Sequence, residues 1–112
     1  MLHKSHRIGK KTFTTLFRSG RRTHTPEMTI IVMPIKTPDI QFGVVVGKSI
    51  DKRAVIRNRI KRLIRIACIH LTPSIAPGHA INIIIKKNIA NVKPPSVEAL
   101  LRDVFHKATI TS

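Results

Sequence analysis

Residues 52–65 read KRAVIRNRIKRLIR and carry seven Lys or Arg with no acidic residue. Apolar residues recur through this stretch at helical spacing, which predicts one helix with an apolar half and a cationic half. The predicted apolar half, which should pack on a sheet, is Val55, Ile56, Ile60, Leu63, Ile64, Ile66 and Ala67. The predicted cationic half is Arg57, Asn58, Lys61, Arg62 and Arg65. Like charges four residues apart destabilise a helix by about 0.2–0.5 kcal/mol per pair, so the cationic half indicates an anionic partner.

Arg59 is the exception in this pattern, because the helical period places it between Val55 and Ile66 on the apolar side. Two interpretations stay open. Its guanidinium either reaches the helix edge while its stem stays on apolar surface, or it lines a cleft that holds RNA. Asn58 adds an amide to the cationic half, where it either faces solvent or bonds a phosphate or a 2′-hydroxyl.

The whole chain is basic and has the composition of a folded protein. It has 112 residues, 21 Lys and Arg against 5 Asp and Glu, a formal charge of +16 and 42% hydrophobic residues. Such a charge favours a polyanionic partner, and the apolar content argues against a disordered basic tail. We expect one domain over residues 1–112, with residues 1–7 flexible. The lone Cys68, and the lack of a signal peptide or a membrane-length apolar run, predict a cytoplasmic protein with no membrane partner.

Apolar runs and turn residues on either side of the basic helix predict the other elements. Their expected order is α-β-β-α-β-α: a first helix ending near Gly20, strands at 28–35 and 41–49, the basic helix from an Asp51 cap to about Leu71, a strand at 81–87 and a helix capped by Ser96. The first two strands are expected to form an antiparallel hairpin, and the third to be central in the sheet. This pattern predicts helices packed on one small mixed sheet.

No set of residues predicts a catalytic centre made by the protein itself. The five acids are scattered, and Cys68 is expected to be a buried thiol rather than a nucleophile. The histidines have no companion ligands at metal-binding spacing, so we expect no metal ligands from the protein. Phe13 and Phe17 lie four residues apart among cations, which is typical of single-stranded nucleic acid binding. The alternative, that both rings pack on the sheet, stays open.

The string AVIRNRIKRLIR at 54–65 resembles the signature of the bacterial ribonuclease P protein family, which has an Arg-Asn-Arg centre followed by further basic residues. The paired aromatics Phe13 and Phe17, the strand around Gly43 and the basic-ended strand at 83–87 are also similar to that family, so that nearly the whole chain aligns. The chain departs from the family pattern in having Gln41 and Ser49 where cations are usual, Ile66 where an acid or amide is usual, and Lys87 in place of Arg.

The resemblance implies an α/β (α+β) two-layer sandwich with a left-handed βαβ crossover. It also implies a role as the accessory protein subunit of an endoribonuclease. That subunit would join a catalytic RNA and help to remove the 5′ leader of precursor tRNA, with no protein catalytic residue and no obligate protein partner. Mg²⁺ would be held by the RNA and the substrate. The implied contacts with the RNA subunit are Lys52, Arg53, Arg57, Asn58, Arg59, Lys61, Arg62 and Arg65. The implied contacts with the precursor-tRNA leader are Phe13, Phe17, Lys48 and Lys87.

Three alternatives agree with the charge pattern alone. A structural RNA-binding protein of the ribosome is also small and basic. A DNA-binding protein could lay the basic helix in a major groove. A basic amphipathic helix can also lie on an anionic membrane, although here three predicted strands need its apolar half as a cover.

Overall fold

The structure, a computed structural model, describes residues 8–110, with residues 10–13 described by their backbone only. The elements are α1 (Lys10–Ser19), β1 (Arg21–His24), β2 (Met28–Pro34), β3 (Ile40–Val45), α2 (Ala54–Leu71), β4 (His79–Ile85) and α3 (Pro94–Lys107). The strands form one mixed sheet in the order β1-β2-β4-β3. This confirms the predicted class of helices packed on a small mixed sheet. The expected flexibility of residues 1–7 lies outside the described residues.

Strand β4 is central, as predicted, and it pairs with β2 antiparallel and with β3 parallel. Its run of isoleucines suits that place, because a strand buried on both faces is apolar throughout. The predicted hairpin between β2 and β3 is wrong, since β4 lies between them. The link from β2 to β3 crosses the start of β4, where the Gly78 N–H and the His79 N–H both donate to the Asp39 carbonyl. The β3–α2–β4 unit is therefore a parallel crossover, and its left-handed sense stays a prediction.

Strand β1 is an element that the sequence pattern did not predict, so the observed order is α-β-β-β-α-β-α. Its residues RRTH lack apolar alternation, as suits an exposed edge strand that pairs with β2 alone among the described strands. Arg21 links β1 to the end of α3, because the Arg21 guanidinium donates hydrogen bonds to the carbonyl of Ala108 and to the hydroxyl of Thr109.

The two faces of the sheet carry different helices. Ile30 of β2 and Ile81 and Ile83 of β4 pack with α2 and α3 in the main core. On the other face Leu16 of α1 packs with Ile31 in a smaller cluster. The two-layer description therefore applies to the sheet with α2 and α3, and α1 adds a short layer behind it.

A buried amide lies on the α1 face. Asn82 of β4 is fully buried, and its amide oxygen and nitrogen have no hydrogen-bond partner among the residues that the structure describes. Gly43 of β3 lies opposite in register, and a Cβ at that position would stand 2.8 Å from the Asn82 Oδ1 and 3.2 Å from the Ile8 Cδ1. The glycine therefore makes the room that the amide occupies.

Two predicted helix caps are wrong. Helix α2 begins at Ala54 after an Arg53 N-cap, because the Asp51 carboxylate accepts the Arg53 backbone N–H at 2.8 Å and forms a turn ahead of the helix. Helix α3 begins at Pro94 rather than after Ser96. Proline is tolerated in the first turn of a helix, where its missing N–H has no intrahelical partner to lose.

Candidate nucleic-acid interface

The buried side of α2 is narrower than the predicted apolar half of the helix. Its buried residues are Ile60, Ile64, Ala67, Cys68 and Leu71. These side chains recur at three- and four-residue intervals on one stripe that faces the sheet. Val55 and Ile66, which were predicted to belong to the buried half, are instead 67% and 43% exposed. The helix is therefore rotated relative to the prediction, because the centre of its buried stripe is set by the fit to the sheet.

The side of α2 opposite this stripe is a mixed cationic and apolar surface, which we call the α2 outer face. It consists of Val55, Asn58, Arg59, Arg62, Arg65, Ile66 and Ile69, which together line one shallow groove. Arg59, Arg62 and Arg65 are exposed, and none of the three forms an ion pair within the described part of the chain. Three guanidiniums without an ion-pair partner among the described residues, next to exposed apolar side chains, form a surface that suits contact with a nucleic acid.

The rotation of α2 also explains the position of Arg59, which the helical period had placed on the apolar side. Its neighbours Val55 and Ile66 are themselves exposed, so Arg59 stands at the solvent side of the helix rather than between the helix and the sheet. Its guanidinium therefore neither escapes from a buried face nor lines a cleft between helix and sheet. It lies in the outer groove together with Asn58, which is also exposed.

Two of the predicted RNA contacts, Arg57 and Lys61, lie at the border of the outer face and are half-buried. Arg57 is partly committed to the fold, because its Nη1 donates to the carbonyls of Asp51 at 3.1 Å and Lys52 at 2.8 Å. This contact ties the turn before α2 to the first turns of the helix. Arg57 therefore holds the loop from which Lys52 projects.

Lys52 and Arg53, the predicted contacts at the start of α2, are both exposed. Arg53 is paired with Asp51, whose carboxylate oxygen lies 3.0 Å from the guanidinium. The Arg53 side chain and backbone N–H both donate to this carboxylate and hold the pKa of Asp51 below its ordinary value. Asp51 therefore stays ionised at neutral pH and neutralises part of the charge of Arg53, whereas Lys52 forms no ion pair with any of the described residues.

A second surface lies on the α1 face of the sheet. One row of residues crosses all four strands in register, consisting of His24, Thr29, Ile84 and Val45. The next row contains Ile31 and Gly43, and it is covered by Leu16 and Ile8 at the α1 side. The first row therefore lies between α1 and the loops that follow β3 and β4. We call the four residues of the first row the trough floor. The trough is this floor together with the side chains that lie next to it on the same face of the sheet.

The predicted leader contacts that the structure describes lie on α1 and after the ends of β3 and β4. Phe17 of α1 is 40% exposed, so it is not a core residue. Lys48 follows β3 and Lys87 follows β4, and both are exposed. The side chain of Phe13 lies outside the described residues, so its contact with the leader stays a prediction. An exposed ring and two exposed lysines are groups that hold a single strand through base stacking and phosphate contacts.

The described residues do not form a metal centre. No three His, Cys, Asp or Glu side chains among them come together as a group that could hold a metal ion. Cys68 is buried as predicted, and burial raises its thiol pKa, which keeps it protonated and unreactive. No helix in the described range is long and apolar enough to cross a membrane.

A cationic helix face, with exposed cations and an exposed aromatic ring elsewhere on a small mixed-sheet fold, has the chemistry of a nucleic-acid-binding protein. The family model described as Ribonuclease P matches residues 2–109. The ribonuclease P protein component of a Picosynechococcus species is 36% identical over 88 residues, covering 78% of this chain and 76% of the relative. That of Microcystis aeruginosa is 36% identical over 102 residues, covering 87% and 79%.

Solved structures agree in fold. The RNase P protein of Staphylococcus aureus superimposes with a TM-score of 0.84 at 22% identity, covering 97% of this chain and all of that one. The protein from Thermotoga maritima gives 0.81 at 20% identity, covering 90% and 96%. The chain belongs to the ribonuclease P protein family and functions as the protein component of ribonuclease P. It therefore has a role in an endoribonuclease complex that processes tRNA, and the ribosomal and DNA-binding alternatives are not favoured.

Proposed function

We propose that this protein binds a catalytic RNA through the α2 outer face and the 5′ leader of precursor tRNA through the trough. The observation that carries this proposal is the exposed set of Arg59, Arg62 and Arg65 on the side of α2 directed away from the sheet, where none of them forms an ion pair with a described residue. The trough lies on the opposite face of the same sheet. Two nucleic acid segments can therefore be bound at once without competing for one surface.

The α2 outer face suits irregular RNA rather than a regular duplex. Guanidiniums bind phosphates in a bidentate manner, while the exposed side chains of Val55, Ile66 and Ile69 offer apolar contact. RNA is recognised with sequence specificity mainly at loops and bulges, where unstacked bases present their faces and edges. Asn58 in the same groove supplies an amide for a base edge or a 2′-hydroxyl. We expect the catalytic RNA to place unpaired nucleotides here.

The trough would hold the leader as a single strand with little sequence preference. Phe17 provides a stacking surface, and Lys48 and Lys87 provide charge for the backbone. The β3 end of the trough continues through residues 46–53 into α2. The nucleotide next to the cleavage site would therefore lie at the β3 end, beside the RNA-binding helix.

The hydrolysis itself would be the work of Mg²⁺ held by the RNA and the substrate, which is how metal-assisted phosphoryl transfer is carried out. The described residues offer no donor set for such an ion, so no step is assigned to them. Their contribution is to raise the affinity for the substrate through the leader and to reduce phosphate repulsion. This would lower the Mg²⁺ concentration that the complex needs. We place the complex in the cytoplasm, without a membrane or an obligate protein partner.

The leader contact is tested with Phe17→Ala in the reconstituted complex. Loss of one stacking surface is expected to weaken binding of leader-containing precursor tRNA by about 1–3 kcal/mol, which is roughly five- to 150-fold. Binding of leaderless mature tRNA should stay unchanged, because it does not occupy the trough. The measurement is the equilibrium Kd of both tRNAs by fluorescence anisotropy. Equal loss for the two tRNAs would show that Phe17 does not contact the leader.

A further inference from the structure

Strand β1 presents two side chains to the trough. Residues alternate between faces along a strand, so Arg22 and His24 lie on the α1 face, while Arg21 lies on the other and contacts the end of α3. Arg22 and His24 are both exposed. Neither residue belongs to the predicted leader contacts, because the sequence pattern did not predict β1 at all.

Arg22 is held against Phe17. Its guanidinium carbon lies 5.8 Å from the centroid of the Phe17 ring, and its Nη2 donates to the Phe17 carbonyl at 3.2 Å. No carboxylate pairs with Arg22 within the part of the chain that is described. The guanidinium has five N–H donors, so this arrangement leaves donors for a phosphate. RNA bases also stack on guanidinium planes, which extends the stacking surface of Phe17 towards the sheet edge.

His24 stands at the end of the trough floor. Its Nδ1 lies 2.9 Å from the hydroxyl oxygen of Thr29, the residue opposite it in register. Thr29 is itself buried, so this contact orients the imidazole. The exposed ring offers a further stacking face and a second ring nitrogen for a hydrogen bond. Arg22 therefore contacts Phe17, and His24 lies two residues further along the same face of β1.

We propose that β1 forms the far end of the trough, where Arg22 and His24 bind the leader nucleotides most distant from the cleavage site. This inference rests on the proposed leader-binding function. The trough floor crosses four strands, or three strand spacings of about 4.8 Å, so it is roughly 14 Å wide. At about 3.4 Å per nucleotide, as in a stacked strand, a leader that enters beside β3 reaches β1 at about its fourth nucleotide.

The test compares precursor tRNAs whose leaders have about two and about eight nucleotides, either side of the fourth position expected from the strand spacing. Arg22→Met keeps an unbranched side chain on the Phe17 ring and removes the guanidinium. The matched control is Arg102→Met, because Arg102 is an exposed arginine of α3 that pairs with Glu98 away from the trough. Kd values are measured with the complete RNA–protein complex. Thermal unfolding of each variant verifies that it is folded.

The expected result is a loss of roughly three- to tenfold for the long leader with Arg22→Met, and less than about twofold for the short leader. His24→Ala should show the same dependence on length, and Arg102→Met should change neither Kd. Equal losses for both lengths, or no loss for the long leader, would overturn the placement of β1. Phe17→Ala in the same assay separates the two proposals. If it affects neither precursor, the leader-binding function itself fails.

A second measurement does not depend on any substitution. A single 4-thiouridine is placed either at the leader nucleotide next to the cleavage site or at about the sixth one from it, beyond the fourth position expected from the strand spacing. Ultraviolet light then crosslinks it to the nearest side chains. The distal position is expected to crosslink to the peptide containing β1, and the proximal position is not. Crosslinks to β1 from the proximal position alone would contradict the proposed direction of the leader.

Discussion

Replacing Arg59, Arg62 and Arg65 together by Ala is expected to weaken assembly with the RNase P RNA by about a hundredfold. This magnitude corresponds to roughly 1 kcal/mol for each lost contact between an exposed guanidinium and a phosphate. Fewer neutralised phosphates also release fewer counterions. The slope of log K against log salt concentration should therefore become shallower by about two to three. Filter binding or anisotropy over a salt series measures both quantities.

The control for this prediction removes the same charge elsewhere. Lys36, Arg102 and Lys107 are exposed cations outside α2, and their joint replacement by Ala keeps the net charge equal to that of the test variant. We expect this control to lose less than about fivefold in affinity, since only long-range attraction is reduced. A control that loses as much as the α2 variant would mean that the RNA responds to total charge and not to the α2 outer face.

A second large effect is expected from Ile64→Ala, which should lower the free energy of unfolding by about 2–5 kcal/mol. Ile64 is fully buried in the core between α2 and the sheet. Ile66→Ala is the matched variant, with the same change only two residues away. Because Ile66 is 43% exposed, its replacement should cost less than about 1 kcal/mol but weaken assembly with the RNA. Urea denaturation and RNA binding measure the two effects.

This pair of variants tests the orientation of α2 directly. If Ile66→Ala destabilised the protein as much as Ile64→Ala, then Ile66 would be a core residue and the outer face would not have its apolar component. If neither variant affected stability, the buried stripe of α2 would be wrongly placed. The expected pattern separates a residue that maintains the fold from one that contacts RNA.

The fold was predictable for those elements whose apolar sequence pattern matches their burial in the structure. The central position of β4 followed from its isoleucines, and the class of helices on a small mixed sheet followed from the order of apolar runs. Strand β1 was not predictable, because it is an edge strand without apolar alternation. It is stabilised by pairing with β2 and by the contact of Arg21 with the end of α3. The β2–β3 hairpin was the simplest connection, and only long-range pairing places β4 between these strands.

The cationic surface of α2 was predictable in composition but not in orientation. The period of α2 placed Arg62 and Arg65 on the exposed side, whereas Arg59 was assigned to the apolar side and Val55 and Ile66 to the core, although all three are exposed. The pattern of polar and apolar residues cannot distinguish an apolar residue that packs on the sheet from one that is exposed on a binding surface, since both look alike in sequence. Arg22 was missed for a related reason. Its relation to Phe17 depends on the pairing of β1, a tertiary fact with no local signal.

The central claim is that this chain is the protein subunit of a ribonuclease P whose catalytic centre is RNA. The most direct measurement is cleavage of precursor tRNA by a bacterial ribonuclease P RNA, with and without this protein, at a Mg²⁺ concentration where the RNA alone is nearly inactive. We expect the protein to stimulate cleavage at the mature 5′ end, and to give no cleavage without the RNA. Cleavage by the protein alone, or no stimulation of the RNA, would contradict this claim.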